Sequence, residues 1–144
     1  MNTAPDFAKL YINWLKKKIV LKDMGDYQEI TTPFLDKNND HMQIFVKPHS
    51  DGQCILSDAG STINELALSG VTINTQKRRE LLNFIINKHG ISFDPATETL
   101  YSVTDIKDFA HKKHALLQAM LAVDDMFMVA HADQIGRASC RERV

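Results

Sequence analysis

The chain has 144 residues, of which 44% are apolar and 24% charged, and its formal net charge is −1. This length and composition suit one globular domain with a hydrophobic core. No apolar run approaches the roughly 20 residues that a membrane span needs, and the N-terminus lacks the basic and apolar regions of a signal peptide. We therefore expect a cytoplasmic protein with no membrane partner.

The first predicted element is an amphipathic helix from Asp6 to Lys22. Its apolar side chains recur at helical spacing along one stripe, which contains Phe7, Leu10, Tyr11, Trp14 and Leu15. We expect this stripe to pack on a sheet and to bury Trp14. The opposite side carries Lys9, Lys16 and Lys17, which leaves two interpretations open, a nucleic-acid contact or an ordinary solvated face.

Residues 26–60 predict a meander of three short antiparallel strands. The first strand contains Tyr27, Ile30 and Thr32 and is expected to stop at Pro33. The second alternates apolar and polar residues over 42–47, and the third is the apolar run 54–56 after a Ser-Asp-Gly turn. Cys54 lies in this last strand and is expected to be a small core residue.

The elements after the meander are predicted as two helices, a small hairpin and a long C-terminal helix. Thr62 and Glu65 have the spacing of a capping box, and Gly70 suits the end of that first helix. The second helix covers 76–89 and ends at Gly90, the hairpin covers 91–103, and the last helix starts at Thr104 or Asp105 and runs to about Ala130. The predicted class is α+β, because strands precede most of the helices instead of alternating with them.

The last eleven residues, Gln134–Val144, differ from the rest of the chain because they lack apolar periodicity and include three arginines. Their sequence resembles the conceptual translation of a sequencing adapter. We therefore predict a single domain over residues 1–133, an artefactual tail over 134–144, and a longer natural protein whose C-terminal domain is missing. Deletion of the tail is expected to leave the melting temperature unchanged.

Charge is divided unevenly along the chain. Residues 1–22 carry five lysines against one acid, and residues 23–65 carry eight acids against two lysines. A basic helix beside an acidic sheet is compatible with a nucleic-acid groove next to a metal site, and equally with internal electrostatic complementarity.

A metal-dependent nuclease is the enzymatic hypothesis that these acids allow. Asp40, Lys47 and Asp58 would have to gather at one edge of the sheet to hold a divalent ion and orient the attacking water. The acid-x-Lys triplet that such sites use is absent from the predicted strands, since Phe45 stands two residues before Lys47.

Other candidate sites are weaker still. The acidic run that starts at Asp36 opens like a calcium loop but lacks its glycine and its final glutamate. His111 and His114 are separated by two lysines, which favours a solvent-exposed surface over a metal site. No metal and no other cofactor is predicted.

Several segments together resemble a known bacterial family. They are E-I-T-T-P-F-L-D-x-x-N-D-x-x-Q-I-F-V-K, then I-L-S-D-A-G-x-T-I-x-E-L, then K-K-H-A-L-L-Q-A-M-L-A-V-D-D. The chain is similar over residues 5–130 to domain of unknown function 1828, a family of Gram-positive bacteria and their mobile elements. The family usually has a second acid after the aspartate that matches Asp58, whereas this chain has Ala59.

The resemblance implies no activity. Together with the sparse catalytic motifs, it favours a non-enzymatic recognition or regulatory module of a longer phage- or mobile-element-associated protein. A restriction-endonuclease-like domain is the alternative. The partner is open and could be protein or nucleic acid.

Overall fold

The computed structural model describes residues 4–130. Within these residues the chain forms the elements α1 (Phe7–Lys18), β1 (Val20–Asp23), β2 (Gln28–Leu35), β3 (His41–Pro48), β4 (Gln53–Ser57), α2 (Ser61–Leu68), α3 (Gln76–His89), β5 (Ser92–Asp94), β6 (Thr99–Asp105) and α4 (Phe109–Asp124). Residues 126–130 continue as a further helical turn. The predicted tail over 134–144 lies outside the described residues.

All six strands form a single antiparallel sheet in the order β1-β2-β3-β4-β6-β5. The α+β class is therefore confirmed, as are the meander β2-β3-β4 and the hairpin β5-β6. The hairpin is not a separate unit, because β6 pairs with β4 and extends the meander.

The helix predicted over 6–22 is too long. α1 ends at Lys18, Ile19 is already extended, and residues 20–23 pair with β2 as an edge strand. The apolar β-branched pair Ile19-Val20 favours a strand, and pairing with β2 satisfies backbone groups that a continued helix would otherwise satisfy within itself.

The prediction that a strand stops at Pro33 is also wrong, since β2 runs on to Leu35. Proline lacks a backbone N–H and is tolerated in a sheet at an irregularity. The register between β2 and β3 shifts between Thr31 and Leu35, and the Thr32 hydroxyl donates to the carbonyl of Met42 at 2.8 Å. The side chain thus replaces part of the ladder that the proline interrupts.

One face of the sheet is covered by α2, α3 and α4, and the hydrophobic core lies between them. The core cluster contains residues from the strands and from the helices, and along each strand its members alternate with more exposed positions. Its fully buried members include Ile44, Leu56, Leu66, Leu100, Leu116, Met120 and Val123. Cys54 belongs to this cluster, so its predicted core position is confirmed.

The helix ends agree with the predictions in part. α2 ends in a Schellman motif in which the N–H of Val71 donates to the carbonyl of Leu66 at 2.8 Å, and Gly70 has a φ of 89°. α3 has the predicted bounds.

The prediction of a capping box at Thr62 is wrong. α2 begins at Ser61, and its cap residue Gly60 makes no side-chain hydrogen bond. α4 starts later than predicted because β6 extends to Asp105.

No helix within residues 4–130 combines the length and the apolar composition that crossing a bilayer requires.

Candidate functional site

The structure does not bring together the three residues of the nuclease hypothesis. Asp40 precedes β3 and Lys47 lies near its other end, so the strand holds them about 20 Å apart at roughly 3.3 Å per residue. Asp58 follows β4, on the buried side of the sheet. The geometry gives the nuclease hypothesis no support.

Asp58 is completely buried, and its carboxylate accepts hydrogen bonds from the backbone of the same domain. Its Oδ1 accepts the backbone N–H groups of Gly60 at 2.8 Å and Leu100 at 3.0 Å, and its Oδ2 accepts that of Thr62 at 3.3 Å. The carbonyl of Asp58 accepts the N–H of Ser61. The carboxylate therefore links the end of β4 to Leu100 of β6, which lies 42 positions away. The backbone carbonyl of Asp58 closes the turn that leads into α2.

Burial raises the pKa of the Asp58 carboxyl above its ordinary value, and the hydrogen bonds from Thr62, Gly60 and Leu100 oppose that shift. Desolvation penalises the charged form, whereas N–H donors favour it. Because three N–H groups donate to the carboxylate, Asp58 can be buried without a counter-ion. These hydrogen bonds assign Asp58 a structural role.

Gly60 fits this turn for a second reason. Its φ is 78°, and a Cβ at this position would lie 3.1 Å from the carbonyl oxygen of Thr97 in the β5–β6 connection. A side chain would therefore meet both backbone strain and a close contact.

The acidic residues of the β2–β3 turn close that turn. The Asp36 Oδ1 accepts the N–H groups of Asn38 at 2.8 Å and Asp40 at 3.0 Å. Lys37 forms a nearly buried ion pair with Asp124 of α4, with 3.2 Å between Nζ and Oδ1, and its N–H donates to Oδ2 at 2.8 Å. The turn is thereby anchored to the last helix.

The described part of the chain contains no group of three or more histidine, cysteine, aspartate or glutamate side chains that could hold a metal ion. His111 and His114 are exposed on α4.

The predicted burial of Trp14 is wrong. Its side chain is 48% exposed, and α1 contains no buried residue. Trp14 stacks on Tyr11 with 6.2 Å between ring centroids, and the Lys18 ammonium lies 6.0 Å from its ring. Lys9, Lys16 and Lys17 are exposed on the same helix.

A concave surface lies on the sheet face that α2, α3 and α4 leave uncovered, which we call the open face. It encloses about 870 Å³ and is lined by Tyr27, Phe45, Lys47, His49, Ile55, Ser57, Ala59, Asp94, Thr97, Thr99, Tyr101 and Val103.

Strand register sets the pattern of the open face, because residues opposite each other in antiparallel strands share a side of the sheet. One row across β2, β3, β4 and β6 contains Glu29, Phe45, Ser57 and Tyr101. The next row contains Lys47, Ile55 and Val103. The Tyr27 ring packs edge-on against Phe45 at 5.9 Å.

Sequence reasoning missed the open face. The available signal was that β3 and β4 carry large apolar residues at both odd and even positions, such as Phe45 beside Ile44 and Ile55 beside Leu56. A strand with one solvent-exposed face alternates polar and apolar residues. Apolar residues on both faces therefore indicate that each face packs against another surface.

Residues 32–123 match the family described as Domain of unknown function DUF1828. The chain therefore belongs to this family, and the resemblance is confirmed. The match contains β3, β4, β6, α2, α3 and nearly all of α4, whereas α1 and β1 precede it. No curated protein and no solved structure matches the chain significantly.

Proposed function

We propose that this family member is a non-enzymatic recognition module that binds an apolar or amphipathic protein segment on the open face. The observation that carries the proposal is a concave, aromatic-lined sheet surface that α2, α3 and α4 leave uncovered. The family resemblance adds the setting, a bacterial protein carried by a phage or mobile element, with recognition or regulation as the role of the domain.

The chemistry of the open face suits binding better than catalysis. Apolar side chains occupy its centre, where Phe45, Ile55 and Tyr101 are each half-buried. Polar groups stand around them, including Lys47 and Asp94. An apolar centre with a polar border is the usual anatomy of a protein-recognition surface.

A library of random dodecapeptides selected on the whole chain tests this proposal. We expect enriched peptides with apolar residues at helical or strand spacing that bind the unmodified chain and the control variant Phe84→Asp alike. Phe84 is 64% exposed on α3, away from the open face. Val103→Asp on the open face should weaken binding at least about tenfold.

The milder variant Val103→Thr, which keeps a β-branched side chain, guards against loss of folding in Val103→Asp. The proposal fails if no peptide is enriched, or if enriched peptides bind both Val103 variants as well as the unmodified chain.

Nucleic-acid binding by α1 is the second candidate, favoured by the exposed Tyr11–Trp14 stack and by the exposed Lys9, Lys16 and Lys17 on the same helix. Aromatic rings stack on bases, and lysines contact phosphates. This candidate predicts that the chain binds a labelled 20-nucleotide oligo-dT with an affinity that falls steeply with salt, and that replacing the three lysines by alanine abolishes binding.

The same purified chain also tests the nuclease alternative. Plasmid, single-stranded DNA and RNA incubated with the chain and Mg²⁺ or Mn²⁺ should remain intact. EDTA-sensitive cleavage that disappears in an Asp40→Ala/Asp58→Asn variant that still unfolds cooperatively would support the nuclease instead.

A further inference from the structure

Building on the proposed recognition function, we propose that the occupant of the open face is α1 of a second copy of this chain. Two copies would exchange their N-terminal helices, each covering the open face of the other. The proposal pairs two surfaces of one chain that are both uncovered, one convex and one concave.

The first of these surfaces is the N-terminal segment. Of the 17 exposed large hydrophobic side chains among the described residues, ten lie between Phe7 and Tyr27. They are Phe7, Leu10, Tyr11, Ile12, Trp14, Ile19, Val20, Leu21, Met24 and Tyr27. The apolar exposure of this domain is thus concentrated in one short stretch.

The apolar side chains of α1 leave a substantial surface in water. Phe7, Leu10, Tyr11, Ile12 and Trp14 are between 48% and 71% exposed. At about 150–250 Å² for a large side chain, they present on the order of 500 Å², near the upper end of the apolar patch of about 300–600 Å² that a typical monomer exposes. A stable interface needs about 800 Å² from each partner, which α1 and the open face of one copy can supply together.

The dimensions of α1 match those of the open face. Twelve residues of helix are about 18 Å long at 1.5 Å per residue, and the face extends over β2, β3, β4 and β6. Four strands spaced about 4.8 Å apart cover roughly 15–19 Å. One helix can therefore lie across the whole row of apolar side chains.

Within its own chain α1 lies beside β2, and none of its residues lines the open face. Only Ile19 separates α1 from the edge strand β1, so β1 sets the direction of the helix. In that direction α1 buries none of its side chains. A second copy does not have this restriction.

Charge favours the same pairing. α1 carries Lys9, Lys16, Lys17 and Lys18, with a single acid, Asp6, at its cap. By strand register, the open face and its border carry the three carboxylates Glu29, Asp94 and Asp105 against the two lysines Lys22 and Lys47. A basic helix on a slightly acidic face is attracted and oriented by these charges.

Sedimentation of the whole chain over a concentration series is the first test. We expect a monomer–dimer equilibrium with a Kd of about 10 µM or tighter. Trp14 is the only tryptophan, so its emission maximum should shift to the blue as the dimer forms. The α1 variant Leu10→Asp/Trp14→Asp and the open-face variant Val103→Asp should each be monomeric, and the control Phe84→Asp should dimerise normally.

Mixing the two monomeric variants distinguishes exchange from other dimers. The open-face variant retains an intact α1 and the α1 variant retains an intact open face, so the mixture should form heterodimers through one restored contact. A synthetic peptide of residues 4–19 should likewise bind the α1 variant and should bind Val103→Asp at least about tenfold more weakly.

Three results would overturn the exchange. The unmodified chain could remain monomeric at 100 µM, the dimer could survive Val103→Asp, or the mixed variants could fail to associate while the α1 variant still unfolds cooperatively. A monomer that binds oligo-dT through α1 would assign the helix to nucleic acid. If library peptides bind the open face but the α1 peptide does not, the exchange fails and the recognition function stands.

Discussion

The helices α1 and α4 both carry apolar side chains at helical spacing, yet they lie in opposite environments. α4 has seven buried residues and holds the core together, with Leu116 and Val123 completely inaccessible. α1 has none, and Phe7 on its stripe is 71% exposed. An apolar stripe therefore indicates that a helix needs a partner and leaves open which chain supplies it.

The same contrast divides the two faces of the sheet. The covered face packs against three helices, whereas the open face forms a concave surface with apolar residues at its centre and polar residues around them. Substitutions on the covered side should therefore change the free energy of unfolding, while those on the uncovered side should chiefly change association.

Leu116→Ala should produce the largest effect. The side chain lies on α4 and is completely buried in the hydrophobic core, and truncation leaves a cavity that costs about 2–5 kcal/mol. Chemical denaturation followed by circular dichroism measures the change. A loss below about 1 kcal/mol would show that α4 is as dispensable to the fold as α1.

Asp58→Ala should cost about 2–4 kcal/mol, because it leaves three buried N–H groups without an acceptor. Asp58→Asn should cost less, since its single oxygen can keep the bonds to Gly60 and Leu100. Equal losses in the two variants would contradict this structural role and indicate that the charge itself is needed.

The stability advantage of the unmodified chain over Asp58→Asn should grow as pH falls from 7 toward 4. The pKa of Asp58 is raised in the folded state, so the folded chain binds its proton more tightly than the unfolded chain does. Stability from this group is full below the unfolded pKa and is lost as pH rises through the folded pKa. Paired denaturation curves across this range measure the difference, and a constant or shrinking advantage would refute it.

Trp14→Ala should have the smallest effect on folding, about 0.5 kcal/mol or less at submicromolar concentration. The reason is its exposed position on α1. The cost of about 3–5 kcal/mol that burial under a sheet would bring should not be seen. Under these dilute conditions, a loss in that range would place α1 in the core of its own chain.

Much of the fold could be predicted because local rules and tertiary contacts agree. α3 has the bounds that its apolar spacing and Gly90 indicate, since a helix end is decided within one turn. Cys54, Leu82 and Ile86 are buried as their patterns predict. The hairpin was identifiable from its turn residues, but its pairing with β4 joins residues about 50 positions apart and left no local signal.

The candidate site was largely beyond prediction. The sequence offered Asp58 as a possible metal ligand, and its structural role depends on the N–H of Leu100, which lies on a strand 42 residues further along the chain. The open face needs four strands in register before its rows exist. Neither arrangement is encoded by spacing along one segment.

The sequence by itself determined the α+β class, most of the helices and strands, and the residues that favour burial, because these depend on periodicity and turn chemistry over a few residues. The tertiary structure decided which apolar surfaces are covered. Burial depends on what packs against a residue, and residues 4–130 supply cover for one face of the sheet while α1 and the open face stay exposed among them.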